Sequence, residues 1–447
     1  MRLRRRALIS FQAACPASKA VHERTEMKYF TRALWATLCA GTALAQQVQT
    51  YTWEQIREKF RATNPTLQAV KMNVDEARAQ EITAYLRPNP EFTFGIDGNQ
   101  LFPSEGVWQP FAGTQFTGTF SYLHERNRKR ELRRDSARQA TAIAESTYAD
   151  QERNLLFSLR SAFVQALQAK AVLAVTRENL SYFDHVLEVS RERFKAGDIS
   201  KLDLDRLELQ RVQFVADVQT ATVNVRTAKI QLLMLLNDRT PVEQFDVTGP
   251  YDFGEQTRPL EEFRNIALET RPDLKAAIQN VDLAKINHDL AEANGSTDPT
   301  FSLWYSHNPS FNNPFAFNTL GASVAIPLRV FDKNQGEKLR TQLDISRNQR
   351  LREAAEAQVF SDVDSSYAAL TSSLTLLRPY KTDYLKRAAD VRETVSFAFQ
   401  RGGVSLLDFL QAQQDYRSIQ LSYLNLVGSY LNAASQLNLA VGREVIQ

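Results

Sequence analysis

The chain has 447 residues with 54 Lys+Arg and 51 Asp+Glu, and 43% of it is apolar. A charged fraction of 23% with 16 Gly and 15 Pro excludes disordered, collagen-like and low-complexity classes, and two Cys exclude a disulfide scaffold. No run of about 18 apolar residues occurs, which excludes a pump built from membrane-spanning helices.

The N-terminus reads as an export leader. Met27 to Arg32 is short and basic, Ala33 to Leu44 is mostly apolar, and Ala43-Leu44-Ala45 has the small–x–small form that signal peptidase cleaves. Residues 1–26 then read as an over-extended start before a true start at Met27, with everything up to Ala45 removed. Cys15 and Cys39 leave with this segment, as do eight Lys+Arg and two Asp+Glu. The formal charge passes from +3 to −3, and the general argument for nucleic-acid binding goes with it.

The remainder is one pattern written twice. The first copy, residues 46–240, reads as a helix, strands at about 91–98 and 113–123, and a long helical hairpin over 127–237. Residues 241–259 form a linker. The second copy, 260–447, repeats the order with strands at about 300–307 and 319–328 and a hairpin over 333–441. The best match is Phe194-Lys-Ala-Gly197-Asp-Ile-Ser200-Lys-Leu202-Asp203 against Phe399-Gln-Arg-Gly402-Gly-Val-Ser405-Leu-Leu407-Asp408. Asn64-Pro65-Thr66-Leu67 likewise pairs with Arg271-Pro272-Asp273-Leu274.

All four strands alternate. Phe92, Phe94 and Ile96 stand against Thr93, Gly95 and Asp97, and Phe116, Phe120 and Tyr122 against Thr117, Thr119 and Ser121. Their lengths, about 8–11 residues, suit a tilted strand crossing a bilayer. On their own they suit one face of a soluble sheet equally well. The helices decide between these readings. Between about Asn127 and Phe194 there is no Pro or Gly, so one helix runs about 100 Å, with apolar positions at coiled-coil spacing. In the second copy Pro379 is expected to break the matching helix. Hairpins of that length must project from a globular body.

Four strands cannot close a barrel, because the smallest have about eight. An open sheet in lipid leaves unpaired backbone groups at several kcal/mol each. The chain must therefore pool strands with copies of itself; strand count alone does not say how many.

These features together resemble the TolC-like outer-membrane efflux proteins, over roughly Tyr51 to Gly442. Asn64-Pro65 and Arg87-Pro88-Asn89-Pro90 are most similar to the CzcC-type branch, which serves heavy-metal efflux. The resemblance implies a mixed α/β membrane protein: a homotrimer whose protomers each lend four strands to a 12-stranded β-barrel. Their hairpins would form a periplasmic α-barrel, with the 241–259 linker in an equatorial belt. Expected partners are an inner-membrane pump, a periplasmic adaptor and outer-membrane lipid, and the expected cargo is heavy-metal cations. Drug efflux, type I protein secretion, a periplasmic adaptor and a coiled-coil scaffold are the competing readings.

The resemblance also assigns sites. The hairpin tips, Phe194, Gly197, Ser200, Phe399, Gly402 and Ser405, are expected to dock the adaptor. Asp408, Gln411, Asp203 and Arg206 are expected at the periplasmic gate, with Gln411 standing where the family carries a second acid. Arg128, Lys129, Arg130, Arg133 and Arg134 follow the second strand and read as a basic collar below the membrane. No cofactor, metal site or catalytic group is expected. His124, His185, His288 and His307 are scattered and have no Cys to join them.

Overall fold

The computed structural model describes residues 49–254, 258–309 and 317–446. The expected leader, a short part of the linker and most of the loop between the last two strands lie outside the described residues.

In chain order the elements are β1 (Gln49–Tyr51), α1 (Trp53–Thr63), α2 (Pro65–Ala84), β2 (Glu91–Asp97), β3 (Gln115–Leu123), α3 (Lys129–Ala196), α4 (Lys201–Leu235), β4 (Phe245–Val247), α5 (Leu260–Thr270), α6 (Pro272–Asn294), β5 (Thr300–His307), β6 (Asn318–Ala325), α7 (Gln335–Pro379), α8 (Leu385–Gln400) and α9 (Leu406–Val441). The duplication is therefore structural as well as sequential. One part escaped the sequence pattern: β1 and β4 pair in parallel, Gln49 opposite Phe245 and Tyr51 opposite Val247. Three-residue strands are too short to show a period.

Helix α3 has 68 residues, about 100 Å at 1.5 Å per residue. It stops at Gly197, whose φ of +86° lets its N–H reach back to Arg193 and Phe194. Pro379 does not break the matching helix in copy two. Its own backbone stays helical, and one wider turn follows over Tyr380–Tyr384, where the Leu385 N–H bonds the Tyr380 carbonyl. That i→i−5 bond takes up the distortion from the missing Pro N–H. Strand β6 ends at Ala325 rather than at 328, since Pro327 has no N–H for the ladder.

The four long strands form one antiparallel sheet in the order β2-β3-β5-β6. The register puts Phe92 opposite Phe120, Phe120 opposite Leu303, and Leu303 opposite Ala322. Every large apolar residue of the alternating set thus lands on one face, and that face is exposed. The other face carries polar pairs, Ser121 with Ser302 at 3.0 Å and Gln115 with Ser306 at 2.6 Å. Trp304 lies on this polar face opposite Gly321, where an added Cβ would meet its ring at 2.3 Å.

The core sits where the short elements pack on the long helices. In copy one, Ile56 and Phe60 meet Leu159, Phe163, Leu232 and Phe245. In copy two, Phe263 and Ala267 meet Val359, Val363 and Leu437. The corner between the two short helices is fastened identically in both copies. The Thr63 hydroxyl donates to the Leu236 carbonyl at 2.7 Å, and Thr270 donates to Val441 at 2.6 Å. The following residue differs. Asn64 caps α2 through the Leu67 N–H, whereas Arg271, 4% exposed, binds Asp273, Asp362 and the Ala440 carbonyl.

Beside this corner, Asp238 receives the Lys59 ammonium and, from Thr240, the hydroxyl at 2.7 Å and the N–H at 2.9 Å. Burial works against the carboxylate, yet these hydrogen bonds outweigh it and pull its pKa down from the usual 3.8 to about 2. A depressed folded value stabilises above the unfolded pKa and is lost as pH falls through the folded one. The stability advantage of the native chain over Asp238→Asn should therefore be full above pH 3.8 and vanish near pH 2. Unfolding followed by far-ultraviolet circular dichroism across that range checks this; a pH-independent difference would refute it.

Candidate functional site

The two hairpin ends pack together into a small core of their own. Phe183, Leu187, Leu207 and Phe214 from α3 and α4 meet Phe399, Leu406 and Phe409 from α8 and α9. Each tip is built by the same local chemistry. Gly197 and Gly402 take left-handed φ values of +86° and +72°. Ser200 and Ser405 then cap the return helices by accepting the N–H of Asp203 and Asp408.

This geometry redistributes the expected roles. Phe194 is exposed, as a docking residue must be, but Phe399 is 6% exposed. Its ring stacks on Phe409 at 4.8 Å, and Arg193 donates to its carbonyl at 3.0 Å. It holds the tip together from inside rather than standing at its surface. Two other apolar residues of the tips do reach the surface. Leu202 and Leu407 are both exposed and stand at the same position of the repeated turn. The signal was present as a large apolar residue kept at a solvent position in both copies.

Among the expected gate residues, Asp408 closes a capping box. Its Oδ2 accepts the Ser405 N–H at 3.2 Å and hydroxyl at 2.7 Å. Asp203 accepts the Ser200 hydroxyl at 2.8 Å and lies 4.0 Å from Arg206. Gln411 donates to Asp415 at 2.7 Å, so an acid missed in the sequence stands one turn beyond it. The ties between the two hairpins were also not foreseen. Asp217 pairs with Arg417, Tyr182 donates to Ser396 at 2.8 Å, and Asn179 donates to Gln420 at 3.1 Å. Arg392 lies over the rings of Tyr182 and Tyr416, at 4.4 and 3.9 Å. Apart from Arg392 and Tyr416, which share a hairpin, these partners stand some 200 residues apart in sequence, and no spacing rule reaches across that distance.

The basic cluster after β3 is largely neutralised. Lys129 is 3% exposed and bridges the repeats, donating to Asp298 at 2.5 Å and to the Ser296 carbonyl at 3.0 Å. Arg133 pairs with Glu125 and Arg134 with Asp135, while Arg130 lies over Tyr85 at 4.4 Å. Arg128 alone of the five is exposed, at the left-handed N-cap of α3. Most members of the basic collar expected here are engaged in local pairs, because the strand–helix junction brings its own acids. Among the described residues, no group of three or more His, Cys, Asp or Glu could hold a metal ion. No described helix is long and apolar enough to cross a membrane.

One feature of α4 is unpartnered in the single chain. Leu202, Leu209, Ala216, Val223 and Ile230 recur every seventh residue, and all five are exposed. A strict heptad on a projecting helix is the pattern of a coiled-coil seam.

Comparison with known proteins agrees with this geometry. The family described as "Outer membrane efflux protein" matches residues 56–238 and 264–443. The chain is 22% identical to the cobalt-zinc-cadmium resistance protein CzcC of Cupriavidus metallidurans over 384 residues, 85% of this chain and 87% of that protein. It is 23% identical to the pyoverdine export outer membrane protein OpmQ of Pseudomonas aeruginosa over 445 residues, 91% of this chain and 90% of that one. Among solved structures, CusC superposes with a TM-score of 0.74 at 17% identity, covering 88% of this chain and 92% of its own.

The capping geometry generates a local prediction. Ser405→Ala removes the cap and the partner of Asp408, at a cost of about 1 kcal/mol. Amide hydrogen exchange over the first turn of α9 should accelerate, with the core around Phe263 unchanged. Equal exchange in both proteins would show that the tip does not depend on this cap.

Proposed function

Because the chain belongs to the outer membrane efflux protein family, the TolC-like channels of the outer membrane with a periplasmic domain, we propose that it is the trimeric exit duct of a tripartite machine moving divalent heavy-metal cations. The observation that carries the duct is the sheet. Four strands with an exposed apolar face and, among the described residues, two unpaired edges need neighbours to close in lipid. Three copies supply twelve strands and six helical hairpins. The exposed heptad of α4 from Leu209 to Ile230 supports the same assembly, as a seam for the next protomer.

In this reading the protein is a conduit rather than an enzyme. An inner-membrane pump supplies the energy, and an adaptor joins it to the tips through Phe194, Leu202 and Leu407. The core around β1 and β4 forms the equatorial belt. The gate lies where Asp408 from each protomer faces the axis, with Asp203, Arg206 and Gln411 beside it. The Asp217–Arg417 tie holds the hairpins together in the narrow state. A ring of carboxylates favours cation entry, and weak multi-site contact is what conduction requires.

The metal cargo is supported by similarity to a protein named for cobalt, zinc and cadmium resistance over nearly its whole length. A second reading, export of small organic molecules, is favoured by the similarity to a protein named for pyoverdine export.

A deletion strain complemented by the intact gene separates the two. Sensitivity confined to cobalt, zinc, cadmium or copper is the expected result. Sensitivity to dyes and antibiotics would keep the duct and discard the metal. For the gate, Asp408→Asn retains a side chain able to cap the helix while removing its charge. It should weaken block by multivalent cations in planar bilayers; unchanged block and conductance would remove Asp408 from the gate.

A further inference from the structure

Between α1, the middle of α3 and the end of α9 lies a cleft of about 920 Å³, within the size range of ligand sites. Its walls are apolar where Leu156, Phe163 and Leu439 line it, and polar or charged elsewhere. Most of the cations are satisfied. Arg57 pairs with Glu444 at 3.0 Å, Arg61 with Glu152 at 2.6 Å, and Arg153 with Asp150 at 2.5 Å.

Arg443, which is exposed, and Arg160 have no such pair among the described residues, and Arg160 is the one withdrawn from solvent. It is half-buried, and among the described residues no carboxylate lies within ion-pair distance. Its guanidinium lies instead over the Trp53 ring at 4.6 Å and the Phe163 ring at 5.8 Å. Burial holds its pKa below the usual guanidinium range, with Glu444 and Glu54 acting on it only from a distance. The second repeat shows what a self-satisfied version looks like. Counting from the left-handed N-cap residues Arg128 and Asn334, Ser158 and Arg160 stand where copy two has Asp364 and Ser366. There, Arg264 forms a two-pronged pair with Asp364 at 2.8 and 2.6 Å. Copy one has dropped the acid, turned Arg57 to Glu444, and added a cation facing a cavity.

We propose that this cleft binds a small organic monocarboxylate with an aromatic or apolar body, its carboxylate on the Arg160 guanidinium. The fork of an arginine matches a carboxylate with two parallel hydrogen bonds. Trp53 and Leu439 offer an apolar surface for the body. Glu54, which also lines the cleft and has no ion pair among the described residues, disfavours multiply charged anions such as phosphate relative to a single negative charge. The assignment stands on the cleft alone and does not depend on the cargo of the duct.

The test is calorimetric titration of the full-length protein in detergent with 2-naphthoate, and with 2-naphthalenemethanol as a body without the charge. Saturable binding of the acid, with the alcohol at least about tenfold weaker, is expected. Arg160→Met should weaken 2-naphthoate about tenfold. It should melt no lower than the native protein, because a half-buried cation without an acid is not a stabilising group. Arg138→Met, on the exposed face of α3, should leave affinity unchanged. Absence of saturable binding, or equal binding by Arg160→Met, overturns the proposal. So does dissociation of Arg160→Met to monomers, which would mean that an acid of a neighbouring copy fills the cleft.

Discussion

A peptide N–H or carbonyl facing hydrocarbon has no water to bind, and each one left unpaired costs several kcal/mol. That constraint governs this molecule. The sheet pairs β2, β3, β5 and β6 internally, but among the described residues its two outer edges have no partner. With Phe92, Phe94, Leu303 and Leu320 all exposed on one side, the sheet suits lipid in its side chains and not in its edges. Completion by other copies is the physical remedy, and the projecting helices follow from it. Each strand pair feeds directly into a long helix, so a closed ring of strands implies a ring of hairpins beneath.

The helices in turn need bracing along about 100 Å, which helix propensity alone does not provide. The structure braces them at three levels. At the top, Lys129 and Asp298 join the two repeats where strands become helices. Midway, the short helices α1 and α5 bury Phe60 and Phe263 completely against the long ones. At the bottom, the stacked Phe399 and Phe409 form a separate core. Long stretches between these levels keep exposed apolar residues such as Val223 and Leu351, as expected of surfaces that meet another protomer.

Duplication gave the two halves the same frame and left their details free to differ. The Thr63 and Thr270 hydroxyls do one job in both copies. The neighbouring positions diverge into a cap, Asn64, and a buried ion cluster, Arg271. The same divergence separates the satisfied Arg264–Asp364 pair from Arg160 in its cleft. Function specific to this protein is best sought where the copies disagree, because the frame itself requires only their common part.

Local rules made much of the chain legible before any coordinates. Period-two alternation marked all four sheet strands, the lack of Pro and Gly marked α3, and the paired Gly and Ser marked both tips. These signals are local: sterics of φ, capping, and the facing of successive side chains act within a few residues. The sequence also determined that the strands are too few to close alone. It did not reveal that Phe399 is buried while Leu407 is exposed, that Lys129 serves an ion pair rather than a surface, or that helical geometry passes through Pro379. Nor did it disclose the pairing of β1 with β4 or of Asp217 with Arg417. Those two pairings depend on which residues, some 200 positions apart, arrive at the same point in space. Only the packing of one repeat against the other decides that.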